Sequence, residues 1–396
     1  MEVSSLKKCV VRVLVPAERR SQEQRVAASP ETVRRLLARG CEVALEERAG
    51  LAAGFSDDAY RQSGAAVVPV GCPESWSRAD VALCVQPPLT ESDGGSGGLE
   101  RLRSGSLLLG LLDPYANRAL IERLSAGGVS VIALELLPRI SRAQSMDVLS
   151  SQANIAGYKA VLLAAAELDR FFPMLMTAAG TVQPAKVLVL GAGVAGLQAV
   201  ATARRLGAVV KVSDVRAAAR EQVESLGARF IDPPDREAPG ESGGYAREAG
   251  ASFLEAQRQQ LTLHLAEADA VITTAQVPGR PAPLLITKEM LAALRPGSVV
   301  VDLAVSSGGN CAGSQPDCTV EIGGVRIIGA SNLPSTVPHH ASALYSRNLV
   351  ALLETLLADD GLTINPEDPL LDSCLISHGG LCRRTDLWPS LEEVVA

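Results

Sequence analysis

No stretch of the 396 residues approaches the roughly 18–20 uninterrupted apolar side chains that a bilayer-spanning helix needs. Leu107–Leu112 and Val129–Leu137 are too short and read as sheet interior. An excess of basic charge is also missing. Lys and Arg number 37 against 44 Asp and Glu, so the net charge is −7 and the pI is near 5.3, which argues against a nucleic-acid partner. The eight cysteines (Cys9, Cys41, Cys72, Cys84, Cys311, Cys318, Cys374, Cys382) form no C-x-x-C pair and mostly sit in apolar runs, as reduced thiols of a cytosol-like compartment do. Cys374, His378 and Cys382 make too poor a set for zinc, and no metal is expected. The first residues run straight into a strand without a signal-peptide cleavage pattern, and no internal repeat is visible.

What is present is an ordinary soluble composition, 47% hydrophobic and 20% charged, long enough for two domains. Strand and helix signals alternate from the start. Cys9–Val15 reads as a strand, and Ser29-Pro30-Glu31 opens a helix with Ser29 as cap. Further strands are expected at Cys41–Leu45, Ala65–Val70, Val81–Gln86, Ser106–Leu112 and Val129–Leu137, with helices at Asp57–Gly64 and Tyr115–Ala126. This alternation implies a parallel, doubly wound sheet. A continuous helical pattern runs from Ser141 to Leu168, and His340–Leu357 is a strong amphipathic helix.

The most informative stretch is Lys186–Arg216. A buried strand, Lys186–Leu190, runs directly into Gly191, Gly193 and Gly196 in the spacing G-x-G-x-x-G. A helical pattern then leads to a second strand, Val209–Ser213, which ends in Asp214. The first glycine permits a tight turn and the second lets backbone approach a pyrophosphate. The third lets helix and strand pack closely, with phosphate at the helix N-terminus. Asp214, a little over twenty residues past Gly191, stands where a carboxylate takes the ribose hydroxyls of NAD. Arg216 could instead meet a 2′-phosphate, although Asp214 would repel one. The cofactor-binding candidates are therefore Gly191, Gly193, Val194, Ala195, Gly196, Asp214, Val215 and Arg216. Thr274, Ala275, Gln276, Asp302 and Leu303 join them from the carboxyl ends of two later strands. The Pro/Gly-rich insertion Phe230–Gly250 has the length of a functional lid, hinged at Gly240, Gly243 and Gly244.

At Arg139–Tyr158, RISRAQSMDVLSSQANIAGY, the chain closely resembles the NAD(H)-binding component, the soluble domain I of the alpha subunit, of proton-translocating nicotinamide nucleotide transhydrogenase. The likeness extends through RVAASPETV, VLVLGAGVAGLQA, SGGYA, PGRPAPLLIT, VDLAVSSGGNC and SALYSRNLVALL, and is loose beyond Asp359. It implies an α/β fold of two doubly wound Rossmann-like domains joined by long helices, with the cofactor in the cleft between them. Residues 1–140 with 340–396 would form the first domain, and 141–339 the NAD-binding domain. Arg139, Gln144, Asp147 and Ser150 match the loop that orients the nicotinamide, and Gln144 the glutamine that reaches toward the second nucleotide. Tyr245 matches a tyrosine that closes over the cofactor. The resemblance further implies NAD(H) on this chain and NADP(H) on a partner subunit. A transmembrane subunit, pairing as a homodimer, and a cytoplasmic place peripheral to the inner membrane through those partners also follow from it.

Alanine dehydrogenase shares this architecture and is the alternative. It resembles this chain at Arg25, in an R-V-A motif, but its lysine, histidine and aspartate fall here on Gln86, Leu112 and Ser306. Oxidising an amine needs an acid/base group near the nitrogen. A nucleotide sensor without turnover is a third class, which would have no use for the RISRAQSMD loop.

Overall fold

The apolar runs of the sequence resolve into two large sheets, one in each of two units. The computed structural model describes residues 10–234, 241–242, 245–246, 251–277 and 279–388. One unit comprises Met1–Gln152 with Ser335–Ala396, and the other Ala153–Pro334.

In the first unit the chain runs β1 (Arg12–Val15), α1 (Pro30–Ala38), β2 (Glu42–Glu46), α2 (Asp57–Ser63), β3 (Ala66–Val68), α3 (Pro73–Arg78) and β4 (Val81–Leu83). It continues through β5 (Leu107–Gly110), α4 (Arg118–Ala126) and β6 (Ser130–Ala133). These six strands are parallel, in the order β6-β5-β4-β1-β2-β3. Every residue of β4, β5 and β6 is buried, the mark of a sheet covered on both faces. Ser29 caps α1 in a reciprocal box with Thr32, and Pro30 occupies the first turn, where its missing N–H costs nothing. The α3 helix escapes the sequence pattern because it is short. Its Trp76 is fully buried, and Nε1 donates to Glu46 Oε1 at 2.9 Å.

The helix expected over Ser141–Leu168 is broken. Ser141–Met146 forms a 3₁₀ turn, and α5 (Val148–Glu167) starts only after Asp147, whose φ of −72° and ψ of 85° are not helical. The physical reason is local. Asp147 Oδ1 accepts from Ser150 N at 2.9 Å and Oδ2 from Ser150 Oγ at 2.6 Å, so the side chain satisfies a first-turn amide and fixes the start of α5.

The second unit follows as β7 (Lys186–Leu190), α6 (Val194–Arg205), β8 (Val209–Ser213), α7 (Ala219–Ser225), β9 (Arg229–Ile231) and α8 (Ala251–Leu265). Then come β10 (Ala270–Thr273), α9 (Lys288–Leu291), β11 (Val299–Asp302), β12 (Thr319–Ile322) and β13 (Val325–Gly329). Strand order is β9-β8-β7-β10-β11-β13-β12, parallel apart from the β12–β13 hairpin. That hairpin turns at Gly323 and Gly324, with φ of 61° and 79°, a backbone that suits glycine and matches strand twist. The chain leaves β7 toward β8 and returns on the other side at β10. That reversal is the switch point at which open α/β sheets hold ligands.

The chain then re-enters the first unit as α10 (Pro338–Leu356), whose Tyr345, Leu349, Val350, Leu352 and Leu353 are all fully buried. Its tail adds β14 (Leu375–His378) and β15 (Leu381–Cys382) to that sheet, antiparallel beside β6. Nothing in the sequence pattern beyond Asp359 announced these strands. No helix of the described residues is long and apolar enough to cross a membrane.

Candidate functional site

In the second unit the carboxyl ends of β7, β8, β10 and β11 converge on the fingerprint turn. Gly191 takes φ +102°, and a Cβ there would press on Thr274 Oγ1 at 2.5 Å. A Cβ at Gly196 would collide with the Gly191 carbonyl. Gly193 differs from both: it is exposed, and a Cβ there would meet nothing within 4 Å. It is the N-cap of α6, and among the described residues no side chain accepts from the first-turn amides of Val194, Ala195 and Gly196. Such a helix end suits an anionic ligand. On α5, Gly157 lets the Ala195 carbonyl come so close that a Cβ would not fit.

Asp214 ends β8 as a buried carboxylate with four donors. Oδ2 accepts from Ala192 N at 2.6 Å and from Arg216 Nη2 at 2.9 Å, while Oδ1 accepts from Arg216 N and Nε, both at 2.9 Å. Burial alone would raise its pKa. The Arg216 side chain and the two backbone amides outweigh that and hold it below the ordinary carboxylate value. Arg216 and the half-buried Val215 therefore lie against the acid. The sequence placed Arg216 beside Asp214 but offered no sign of this fork.

Asp302 is fully buried, and its oxygens are taken by Thr273 Oγ1, Ala304 N, Asn310 N and Cys311 N at 2.9–3.2 Å. It organises the 304–311 loop, and each of its oxygens already accepts two hydrogen bonds from described residues. Asn310, the last residue of the polar turn Ser306–Asn310 that the sequence assigns to the crevice, closes the same loop. Its Oδ1 accepts from Ala275 N, and its Nδ2 donates to the carbonyls of Ala275 and Pro283 at 2.8–3.0 Å. The signal for it was the preceding Gly308-Gly309 pair, both at positive φ, which wraps the chain around Asp302. Thr274 Oγ1 donates to the Leu190 and Gly191 carbonyls, and Gln276 Nε2 to the Leu303 carbonyl at 2.8 Å. Thr274, Ala275 and Leu303 are half-buried, and Gln276 is exposed.

The RISRAQSMD segment belongs to the first unit. Ala143 and Met146 are buried anchors of its 3₁₀ turn, and between them Gln144 is exposed. The Gln144 side chain makes no hydrogen bond to any described residue. The turn is pinned on both sides. Asn348 Nδ2 donates to the Ser145 carbonyl at 2.8 Å, and Arg142 Nη1 to both oxygens of Asp368 at 2.9 and 3.0 Å. Arg139 is exposed at the entrance, and the Asp147–Ser150 pair fixes the exit. Tyr245 lies in a two-residue strand paired with Glu241–Ser242, but its side chain and the hinge glycines fall outside the described residues, as does most of the expected lid.

Arg25 sits in a closed network of the same unit. It is 5% exposed, its Nε and Nη2 donate to the two oxygens of Glu23 at 2.8 and 2.6 Å, and Nη1 donates to Gln152 at 2.9 Å. Gln86 Nε2 donates to Glu23 Oε2 at 2.7 Å, and Leu112 is buried. The guanidinium is thus committed inside the protein.

Two family profiles cover nearly all of this architecture: "Alanine dehydrogenase/PNT, N-terminal domain" over residues 14–156 and "Alanine dehydrogenase/PNT, C-terminal domain" over residues 160–384. The chain belongs to the alanine dehydrogenase/PNT family. Within it, the chain is 46% identical over 374 residues to the first part of NAD(P) transhydrogenase subunit alpha of Rhodospirillum rubrum, covering 93% of this chain and 97% of that one. The crystal structure of transhydrogenase from Sinorhizobium meliloti matches with a TM-score of 0.84 at 46% identity, over 94% of this chain and 99% of that one. Alanine dehydrogenase of Mycobacterium tuberculosis is more distant, 31% identical over 379 residues, covering 93% and 94%.

Proposed function

We propose that this chain is the NAD(H)-binding subunit of a proton-translocating NAD(P) transhydrogenase, exchanging hydride directly with NADP(H) held by a partner subunit. The observation that carries this reading is the exposed Gln144 amide, bonded to no described residue, on a turn anchored at Ala143 and Met146. A neutral amide both donates to and accepts from ribose hydroxyls without adding charge beside a nicotinamide.

NAD(H) would supply the nicotinamide C4 that gives or takes the hydride. The residues of this chain hold and orient it. Gly191, Gly193, Val194, Ala195 and Gly196 offer backbone amides to the pyrophosphate at the uncapped start of α6. Asp214 takes the adenine ribose, flanked by Val215 and Arg216. Thr274, Ala275, Gln276 and Leu303 shape the crevice, and Asp302 acts through the loop it organises. Arg139, Gln144, Asp147 and Ser150 are assigned to the nicotinamide end, the last two as a pair that sets the turn's exit, and Tyr245 is assigned to closure over the cofactor. Direct transfer between two rings needs no acid or base, only near-attack geometry and exclusion of water.

The closed Arg25 network weighs against an amino-acid dehydrogenase, since its guanidinium is already bonded to Glu23 and Gln152, and Glu23 in turn to Gln86. Pairing as a homodimer has support in the hairpin Leu175–Thr177 with Gly180–Val182, which joins neither large sheet. It exposes Met176 (71%) and Met174 (57%). An isolated two-stranded hairpin is marginal in water and gains from a partner. Attachment to the inner membrane would run through a transmembrane partner.

The test is reduction of an NAD analogue by NADPH in the presence of a purified NADP(H)-binding partner. Turnover there with none on alanine is the expected result. Turnover on alanine without a partner would overturn the reading.

A further inference from the structure

We propose that a basic groove of the first unit receives an acidic segment of the NADP(H)-binding partner, an inference that rests on the function proposed above. The groove is an open surface depression of about 520 Å³. It is lined by Arg35 and Arg39 from the α1 end, by Arg347 and Glu354 on α10, and by Ser145 and Met146 of the RISRAQSMD turn.

Its charge is uneven. Arg35 forks onto Glu354, and Arg347 onto Glu31. Arg39 is exposed and makes no side-chain hydrogen bond or ion pair with any described residue. The three groove arginines, Arg35, Arg39 and Arg347, stand against the two glutamates they meet, Glu354 and Glu31. Three minus two leaves +1 here, on a chain whose net charge is −7. A positive concavity on an acidic protein favours a carboxylate-bearing partner, both in steering and in register.

The place of the groove gives the contact a purpose. Ser145 and Met146 line it, and Gln144 is the next residue along the turn. An acidic segment seated there touches the turn that presents Gln144. Partner docking and placement of the second nucleotide would then be set by one element. A guanidinium at the end of α1 also balances the helix dipole. That role is independent of any partner, so the experiment separates the two.

The experiment is calorimetric titration of wild type, Arg39→Gln and Arg39→Glu with the NADP(H)-binding partner, at low and at high salt. NADH affinity and melting temperature are measured on the same samples. Exposed charge pairs are modest, so Arg39→Gln is expected to weaken partner binding about fivefold. Arg39→Glu is expected to weaken it roughly tenfold or more, with both gaps shrinking at high salt. NADH affinity should not move, and melting temperature should fall only slightly, as loss of the charge at the end of α1 predicts without any partner. Wild-type partner affinity in Arg39→Glu at low salt would overturn the groove assignment, and so would a loss that high salt leaves intact or that NADH affinity shares. If wild type itself neither binds the partner nor passes hydride, the functional reading fails first, and that is visible before any variant is compared.

Discussion

Asp214→Asn probes the nucleotide end most sharply, because the structure fixes what surrounds the carboxylate. Four donors reach it: Ala192 N, Arg216 N, Arg216 Nε and Arg216 Nη2. A ribose diol must share or displace some of them, and the guanidinium is the part that can swing away. In the variant, two hydrogen bonds from the diol fall from charge-assisted to neutral, a loss of about 1 kcal/mol each. NADH should therefore bind roughly thirtyfold more weakly, since ~1.4 kcal/mol is a factor of ten. Arg216, freed from its acid, then offers a charged partner to a 2′-phosphate, and NADPH should bind more tightly than to wild type. The preference for NADH should narrow by one to two powers of ten. One buried amide is left facing the Asn NH₂ group at a stability cost of about 1–3 kcal/mol, so titrations belong well below the lowered melting temperature. The assay is equilibrium titration of both cofactors. Equal wild-type affinities, or an unchanged ratio in Asp214→Asn, would refute the assignment.

Two further outcomes follow from the same geometry. Gly193→Ala adds a methyl that meets no protein atom within 4 Å at an ordinary φ of −75°, so melting should be unchanged while NADH affinity drops tenfold or more, by about 1.4 kcal/mol; unaltered affinity would mean that no phosphate approaches there. Burial pushes Glu135 up to about 7, against the backbone amides of Glu135, Asp113 and Leu112 that lower it, and its Oε2 has no hydrogen-bond partner among the described residues. The native carboxyl thus keeps a proton that the unfolded chain loses near pH ~4.3, so this stabilisation fades as pH rises toward 7. Glu135→Gln should flatten the fall of melting temperature between those limits, and parallel curves would contradict it.

The sequence was most legible where backbone chemistry is local. The fingerprint glycines and the Ser29 cap both follow from conformational demands that few residues meet. It was least legible where side chains answer one another across the fold. Asp302 looked like a ligand because it ends a strand, yet its oxygens belong to Asn310, Cys311, Ala304 and Thr273. Asp147 looked like a helix interior position because periodicity does not register a carboxylate that captures Ser150. The β14 and β15 strands are too short for a period, and β14 gains its place only by pairing with β6. Arg25 matches a substrate arginine in motif alone, and only the fold brings Gln152 and Gln86 to its network.

The central claim, that Gln144 serves a second nucleotide rather than the first, is tested by Gln144→Asn. The side chain shortens by one methylene while the anchors Ala143 and Met146 hold the turn. Stopped-flow hydride transfer with the NADP(H)-binding partner is measured alongside NADH binding by fluorescence. The expected result is near-wild-type NADH affinity with transfer slowed by roughly two powers of ten, as a misplacement of ~1 Å can cause. A full transfer rate, or an NADH affinity that falls in step with the rate, would contradict it.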